Sequence, residues 1–179
     1  GFAGDRRGAR VALPGQGQIG RQLRRIGAAE FLGQQLTTSP HDDVVLAILD
    51  SIAVRADVTD SGHALTTAVF QLLREPSRAE VYARAQQTLR AMDRADQALR
   101  LPPELRVRRS LYARLQENDP AVIRIAWRVL ADLGDLHAAY EMTAALEKAG
   151  PGPVADALAE GLEHLLFQSY GADATKWRE

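Results

Sequence analysis

The chain has 179 residues, of which 46% are hydrophobic and 25% are charged, and its formal net charge is −1. This composition excludes wholesale disorder and collagen-like repeats, and the lack of cysteine excludes a disulfide scaffold and cysteine-ligated zinc. No run approaches the ~18 apolar residues of a membrane span, so we expect no membrane-spanning helix. Glycine rather than methionine stands at position 1, which predicts a processed chain or a fragment and leaves a cytoplasmic and an exported location both open.

The first 17 residues are rich in glycine and arginine and predict a flexible lead-in. The run Gly15–Gly20 begins in this segment and matches GxGxxG, the glycine pattern of a dinucleotide-binding loop. Such a loop must follow a strand, but the best strand candidate, residues 11–13, stops at Pro14. We therefore expect a helix lead-in here, and a nucleotide-using enzyme remains the third hypothesis.

From residue 18 onward, apolar residues recur at the three- and four-residue spacing of helix faces. Ser39 with Asp42, and Ser77 with Glu80, match the capping box, in which side-chain oxygens bind free amides at a helix start. A proline pair at 102–103 is expected to open a helix that runs to about residue 116. The apolar positions are Ile19, Leu23 and Ile26; Val45, Ile48, Leu49 and Ile52; Leu65, Ala68, Val69, Leu72 and Leu73; Val81, Ala85, Leu89 and Met92; Val122, Ile125, Ala126, Val129, Leu130 and Leu133; and Leu158, Leu162, Leu165 and Leu166.

The clearest helix boundaries surround residues 120–133. Asp119 followed by Pro120 is an N-cap with proline in the first turn, where its missing N–H is not needed. Gly134 is placed to end this helix in the left-handed conformation, and Asp135 to cap the next. The sequence therefore predicts a helix, a tight turn and a second helix.

An apolar frame recurs along the chain. The same spacing of apolar residues follows Val122 and Val45, is less complete after Val81, and is weakest after Gly15. These four starting positions lie 30, 36 and 41 residues apart. Periods of this size are typical of helical repeat arrays. We expect an all-α fold, an α-solenoid of about four irregular antiparallel helix pairs over residues 18–169, followed by a tail. The alternative is a helical domain without repeats.

The run from Asn118 to Asp135 resembles the HEAT repeat, with Asp-Pro before the first helix, Val and Arg in its first turns and Leu-Gly-Asp at the turn. Residues 25–28 resemble a degraded copy of that turn. The tail, residues 170–179, resembles tails that follow HEAT-like repeats in large bacterial proteins. The resemblance is strongest over residues 118–149, and it implies an α-solenoid that binds other proteins.

One helix face offers a candidate contact patch. Arg124, Trp127 and Arg128 combine residue types that are enriched at interface hot spots. Core packing of Trp127 is the alternative, because large aromatic side chains usually bury most of their area. We expect both arginines to point mostly outward, and Val129 and Leu133 to be buried against the 135–149 helix and the neighbouring helix pair.

Charge alternates along the chain: +4 over residues 1–30, −4 over 31–60, +5 over 61–116 and −6 over 117–179. Solvated helix faces explain most such patterns. The functional alternative is a patch for an anionic partner, and HEAT-like folds also serve DNA repair, so a helical nucleic-acid-binding domain is the second hypothesis. Nucleic-acid binders are usually clearly basic, so we expect no such binding. The densest cluster is Arg100, Arg106, Arg108, Arg109 and Arg114. Four of these, Arg106, Arg108, Arg109 and Arg114, are the candidate anionic-partner patch.

Two His–Glu pairs have metal-ligand spacing. His137 with Glu141, and Glu160 with His164, are four residues apart and could each share a metal on a helix face. Polar pairs on a helix surface explain the same spacing, so we expect no metal site and no cofactor. We favour a non-catalytic protein-interaction or scaffold module of a larger bacterial protein or assembly.

Overall fold

A computed structural model describes residues 16–54 and 64–178 of the chain. Over these two ranges the protein is all-α and contains no strand. This confirms the predicted fold class. The helices are α1 (Gln16–Thr38), α2 (Asp42–Val54), α3 (Ala64–Leu72), α4 (Ala79–Ala98), α5 (Val107–Arg114), α6 (Pro120–Asp132), α7 (His137–Leu146) and α8 (Pro153–Leu166), with 3-10 turns at Pro103–Leu105 and Lys176–Arg178.

The helices pack mainly on their next-but-one neighbours. α1 lies along α3, α2 lies along α4, and α6 lies along α8. α7 packs on α8. α5 contacts α3, α4 and α6, so α5 joins the helices before it to those after it. The buried apolar side chains form one cluster that extends from Ala29 in α1 to Trp177 in the tail.

Local chemistry sets the boundaries of α6 as expected. Asp119 Oδ1 accepts a hydrogen bond of 2.9 Å from the amide of Ala121, so this side chain caps the helix start. Gly134 has a φ of 65°, the left-handed conformation that glycine adopts without strain. The amide of Asp135 then donates to the carbonyl of Leu130 at 3.0 Å, which closes the C-terminal turn.

The capping boxes predicted to begin at Ser39 and Ser77 are both wrong. Ser39 Oγ accepts from the amide of His41 at 3.4 Å, just before α2 begins. Arg78 is the residue that precedes α4, and no side chain caps that helix. The Arg78 side chain has no acceptor for the free amides of α4, and it donates from Nε to Asp42 Oδ1 at 2.8 Å.

Other helix boundaries also differ from the predicted ones. The proline pair at 102–103 opens a 3-10 turn, and α5 begins only at Val107. α1 begins at Gln16, so Gly17 and Gly20 lie inside a helix instead of in a loop. Residues 1–15, with the strand candidate, and residues 55–63 lie outside the described residues. None of the described helices is long and apolar enough to span a membrane.

The register predicted for α6 holds at Val129 but is wrong at Leu133. Val129 is buried, whereas Leu133 is only partly buried. Leu133 is the C-cap residue, and α6 packs mainly on α8 and not on α7. Leu133, at the end of the apolar side of α6, is therefore less well covered by α8 than Val129 is.

Candidate functional site

Trp127 lies in the interface between α6 and α8. Its side chain is 6% exposed, and it packs on the backbone of α8 at Gly161, where an added Cβ would lie 2.8 Å from the indole Cγ. Trp127 Nε1 is buried and has no hydrogen-bond partner among the described residues. The indole therefore packs in the core, as the alternative interpretation expected.

The two arginines beside Trp127 stay near the surface. Arg124 binds Glu160 in bidentate fashion, with Nε–Oε2 at 2.7 Å and Nη2–Oε1 at 2.9 Å. The hydrogen bond from Arg124 lowers the pKa of the Glu160 carboxyl. The Arg128 guanidinium lies 5.4 Å from the centre of the Trp127 ring, and the His164 ring lies 5.2 Å from it. The three predicted residues are thus brought together, and their role in partner binding stays a prediction.

Arg108 lies at the centre of a buried polar network. Its guanidinium binds Asp93 of α4 through Nε–Oδ1 at 2.7 Å and Nη2–Oδ2 at 2.9 Å, and Nη1 lies 3.3 Å from Asp135. Nη2 also donates to the carbonyl of Leu133 at 3.1 Å. These contacts, the bond to Asp93 above all, raise the pKa of Arg108 above its ordinary value. Arg108 therefore ties α4 and α5 to the turn between α6 and α7.

Tyr112 completes this network from one turn further along α5. Its hydroxyl donates to Asp135 Oδ2 at 2.5 Å, while Asp135 Oδ1 accepts from the amide of His137 at 3.2 Å. Burial, and then the bond to Asp135, raise the pKa of the Tyr112 hydroxyl. Leu136, and not Asp135 as predicted, is the N-cap residue of α7, but Asp135 accepts from the first amide of that helix and also binds two side chains of α5.

The other arginines of the predicted anionic-partner patch have different surroundings. Arg106 donates from Nε to the carbonyl of Leu101 at 2.7 Å. Arg114 binds Glu117 through Nη1 at 2.6 Å, and Arg109 is exposed. Arg108 is bound to two aspartates, so three of the four predicted arginines bind partners within the chain. The patch remains a prediction, with Arg109 as its most exposed member.

A polar cleft of about 500 Å³ separates α4 from the end of α6. Arg90 pairs with Asp132 across it at 3.1 Å, and Arg94 Nε donates to the carbonyl of Arg90. The buried Asp93 lines the cleft as well and is already bound to Arg108. The charged residues that line the cleft are thus two arginines and two aspartates.

The two His–Glu pairs differ in geometry. His137 Nε2 lies 3.7 Å from Glu141 Oε1, whereas Glu160 is bound by Arg124 and the His164 ring lies beside Trp127. Among the described residues, no group of three or more histidines and carboxylates could hold a metal ion. The second pair is thus occupied by contacts between α6 and α8.

An exposed apolar surface on α7 and the end of α8, which we name the α7 strip, was missed in the sequence. Its members are Leu136, Tyr140, Leu166 and Phe167, and Tyr140 is 70% exposed while Phe167 is 92% exposed. The sequence does contain an indication of this surface, because Leu136 and Tyr140 are four residues apart, on the side of α7 opposite the buried Met142. A helix with apolar residues on two sides indicates a second contact surface.

Beside the α7 strip runs a groove of about 480 Å³. Its lining includes Tyr140 and Ala144 of α7, Leu166 at the end of α8, and the tail residues Trp177 and Arg178. Trp177 is 9% exposed, so the tail folds back onto the last helices. The groove has room for one or two side chains of a bound peptide.

Comparisons with family models, curated proteins and solved structures find no match for this chain. Its function is therefore inferred from its surfaces. The charged clusters around Arg108 and Arg124 bind partners inside the chain, whereas the α7 strip is apolar and uncovered among the described residues. Binding of another polypeptide is what the α7 strip can do chemically.

Proposed function

We propose that the chain is a non-catalytic protein-interaction module of HEAT-like α-solenoid type, which acts as a scaffold in a larger bacterial protein or assembly. The observation that carries the proposal is the α7 strip with its adjoining groove. The partner is a polypeptide that places apolar side chains on Tyr140 and in the groove lined by Ala144 and Leu166.

The packing of the helices supports the repeat part of the proposal. Stacked helix pairs place each helix beside the equivalent helix of the next pair, which is the next-but-one helix along the chain. α1 with α3, α2 with α4, and α6 with α8 follow this rule. The Asp119 cap and the left-handed Gly134 add the local features of the turn that resembles HEAT.

The chemistry of the α7 strip supports the binding part. Single exposed apolar residues are normal on protein surfaces, but Tyr140 and Leu166 line the same groove, and apolar residues grouped at a groove are typical of interaction sites. Tyr140 offers a large, rigid contact area that loses little conformational entropy on binding. The groove walls are largely apolar, with Ala139, Tyr140, Ala144, Leu166 and Trp177 among them. Such a groove suits the apolar side of an amphipathic helix.

Selection from a random displayed peptide library tests this function. We expect peptides that bind the chain, with an affinity that falls at least about tenfold in Tyr140→Ser, the range of a moderate hot spot. Ala144→Glu should have the same effect, because it fills the groove and removes no existing contact. Phe31→Ser is the matched control, since Phe31 is an exposed aromatic residue in α1.

The same selection separates the two candidate surfaces. Binding that is lost in Arg128→Ala but kept in Tyr140→Ser would move the site to the Arg124, Trp127 and Arg128 patch. A library that yields no peptide sensitive to any of these changes would contradict the proposed function.

A further inference from the structure

The polar cleft between α4 and the end of α6 is lined by a row of side chains from one face of α4. The row recurs at spacings of three and four residues, which place its members side by side on a helix: Gln87, Arg90, Arg94 and Gln97. Asp132 and Leu133 line the cleft from the end of α6. Asp93 lines it too although it is only 3% exposed, so it lies at the bottom. The cleft, of about 500 Å³, is therefore a concave and mainly hydrogen-bonding surface of the size that small ligands occupy.

One guanidinium in this cleft has no carboxylate partner. Arg90 Nη2 lies 3.1 Å from Asp132 Oδ2, and Asp93 is held in bidentate fashion by Arg108. Arg94 donates from Nε to the carbonyl of Arg90 at 3.3 Å, and no carboxylate of the described residues lies within ion-pair distance of it. Both Nη groups of Arg94 are thus available to an anion that enters the cleft.

We propose that the cleft binds a small hydroxy-carboxylate, whose carboxylate group is held by Arg94 and whose hydroxyl groups bind Gln87, Gln97 and Asp132. A guanidinium forms two parallel charge-assisted bonds with a carboxylate. Its single charge matches one carboxylate, whereas a phosphate group carries up to about two charges. Hydroxyl groups both donate and accept, as the glutamine amides and the Asp132 oxygens require. This site is separate from the α7 groove, and it does not depend on the proposed function.

Titration with gluconate, followed by the backbone amide signals in NMR spectra, tests this site. We expect the signals of Gln87, Arg94 and Leu133 to move and to saturate, with a dissociation constant of about 1 mM or lower. Sorbitol carries the hydroxyl groups without the carboxylate, and inorganic phosphate is an anion without the carbon chain. Both should bind at least about tenfold more weakly than gluconate, because each lacks one half of the recognised chemistry.

Two substitutions identify the groups that bind. Arg94→Gln should weaken gluconate binding by about tenfold or more, the scale of a lost charge-assisted hydrogen bond. Arg109→Gln is the matched control, because Arg109 is an exposed arginine of α5 that does not line the cleft, and it should leave the dissociation constant unchanged. Gln87→Trp places a bulky ring in the cleft and should abolish binding. Its melting temperature should stay that of the unchanged chain, since Gln87 is exposed.

Three results would overturn the assignment. Cleft signals that stay fixed at about 10 mM gluconate would show that the cleft holds only solvent. Sorbitol or phosphate binding as tightly as gluconate would remove the hydroxy-carboxylate as the recognised class. Equal weakening in Arg94→Gln and Arg109→Gln would reduce the effect to general attraction between an anion and surface arginines. Peptide binding at the α7 groove should be unchanged in Arg94→Gln, so either site can fail without the other.

Discussion

Arg108 and Asp93 form a bidentate ion pair between α5 and α4, with Nε–Oδ1 at 2.7 Å and Nη2–Oδ2 at 2.9 Å. Asp93 is 3% exposed, and Gln97 Nε2 donates to its second oxygen at 2.7 Å. The same guanidinium binds Asp135 and the carbonyl of Leu133. One arginine thus neutralises two buried carboxylates and joins three parts of the chain.

Removing this arginine should destabilise the fold strongly. Arg108→Ala leaves Asp93 and Asp135 buried without their counter-ion, so we expect the free energy of unfolding to fall by about 3 kcal/mol. The neighbouring Arg109 is exposed, and Arg109→Ala should cost less than about 0.5 kcal/mol. Chemical denaturation of both variants checks the difference. Similar midpoints for the two would contradict the role assigned to Arg108.

The raised pKa of Tyr112 predicts how stability depends on pH in the alkaline range. A group whose pKa is higher in the folded state contributes stability that is complete below its unfolded pKa, near 10, and is lost as pH rises through the folded pKa. Tyr112→Phe should therefore be less stable at neutral pH, because the bond to Asp135 is gone. Above pH 10 the gap between the two proteins should narrow. Urea melts at several pH values measure it, and a constant gap would contradict the assignment.

Features set by neighbouring residues could be predicted from the sequence. Asp119 before a proline caps α6, and Gly134 adopts a positive φ, because both depend only on backbone geometry within a few residues. Helical spacing likewise predicted the all-α class. The box predicted at Ser39 did not form, and its Asp42 is bound by Arg78, a contact across 36 positions that the local pattern does not contain.

The candidate sites depended on contacts between distant residues. Arg108 belongs to a basic segment and was predicted to face an anionic partner, but its partners are Asp93, 15 positions earlier, and the turn after α6. Leu136 and Tyr140 are exposed because no described helix covers that side of α7. The sequence shows charge and polarity, whereas the packing of helices decides which side chains meet.

Gly161 should be intolerant of any side chain. An added Cβ would lie 2.6 Å from Met142 Sδ and 2.8 Å from Trp127 Cγ, so α8 would have to move away from α6 and α7. We expect Gly161→Ala to cost about 1–3 kcal/mol, as overpacked cores do. Gly27→Ala is the control, because Gly27 lies in α1 with no atom near the new Cβ, and it should be stabilising by up to about 1 kcal/mol. Thermal melts of both distinguish close packing from helix propensity.

Truncations along α6 should follow burial. Leu130 is fully buried, so Leu130→Ala should cost about 2–5 kcal/mol, and the partly buried Leu133 should cost about 1 kcal/mol. Arg128→Ala should barely change the melting temperature, because its guanidinium only covers the Trp127 ring from outside. Calorimetry ranks the three variants. If Leu133→Ala costs as much as Leu130→Ala, the end of α6 is packed differently.

The arrangement of the arginines predicts that the chain does not bind duplex DNA tightly. Binding of DNA is driven by release of counter-ions when several cations meet the phosphates, and each cation must be free to do so. Arg108 is committed to Asp93, Arg114 pairs with Glu117, and Arg106 binds a backbone carbonyl. We therefore expect no complex tighter than about micromolar at physiological salt, the non-specific range. A mobility-shift titration at two salt concentrations measures this, with Arg109→Ala as the variant that removes the most exposed arginine of the patch. Salt-sensitive nanomolar binding that weakens in Arg109→Ala would favour nucleic-acid binding over the protein-interaction module, because only a phosphate-binding surface has that salt dependence.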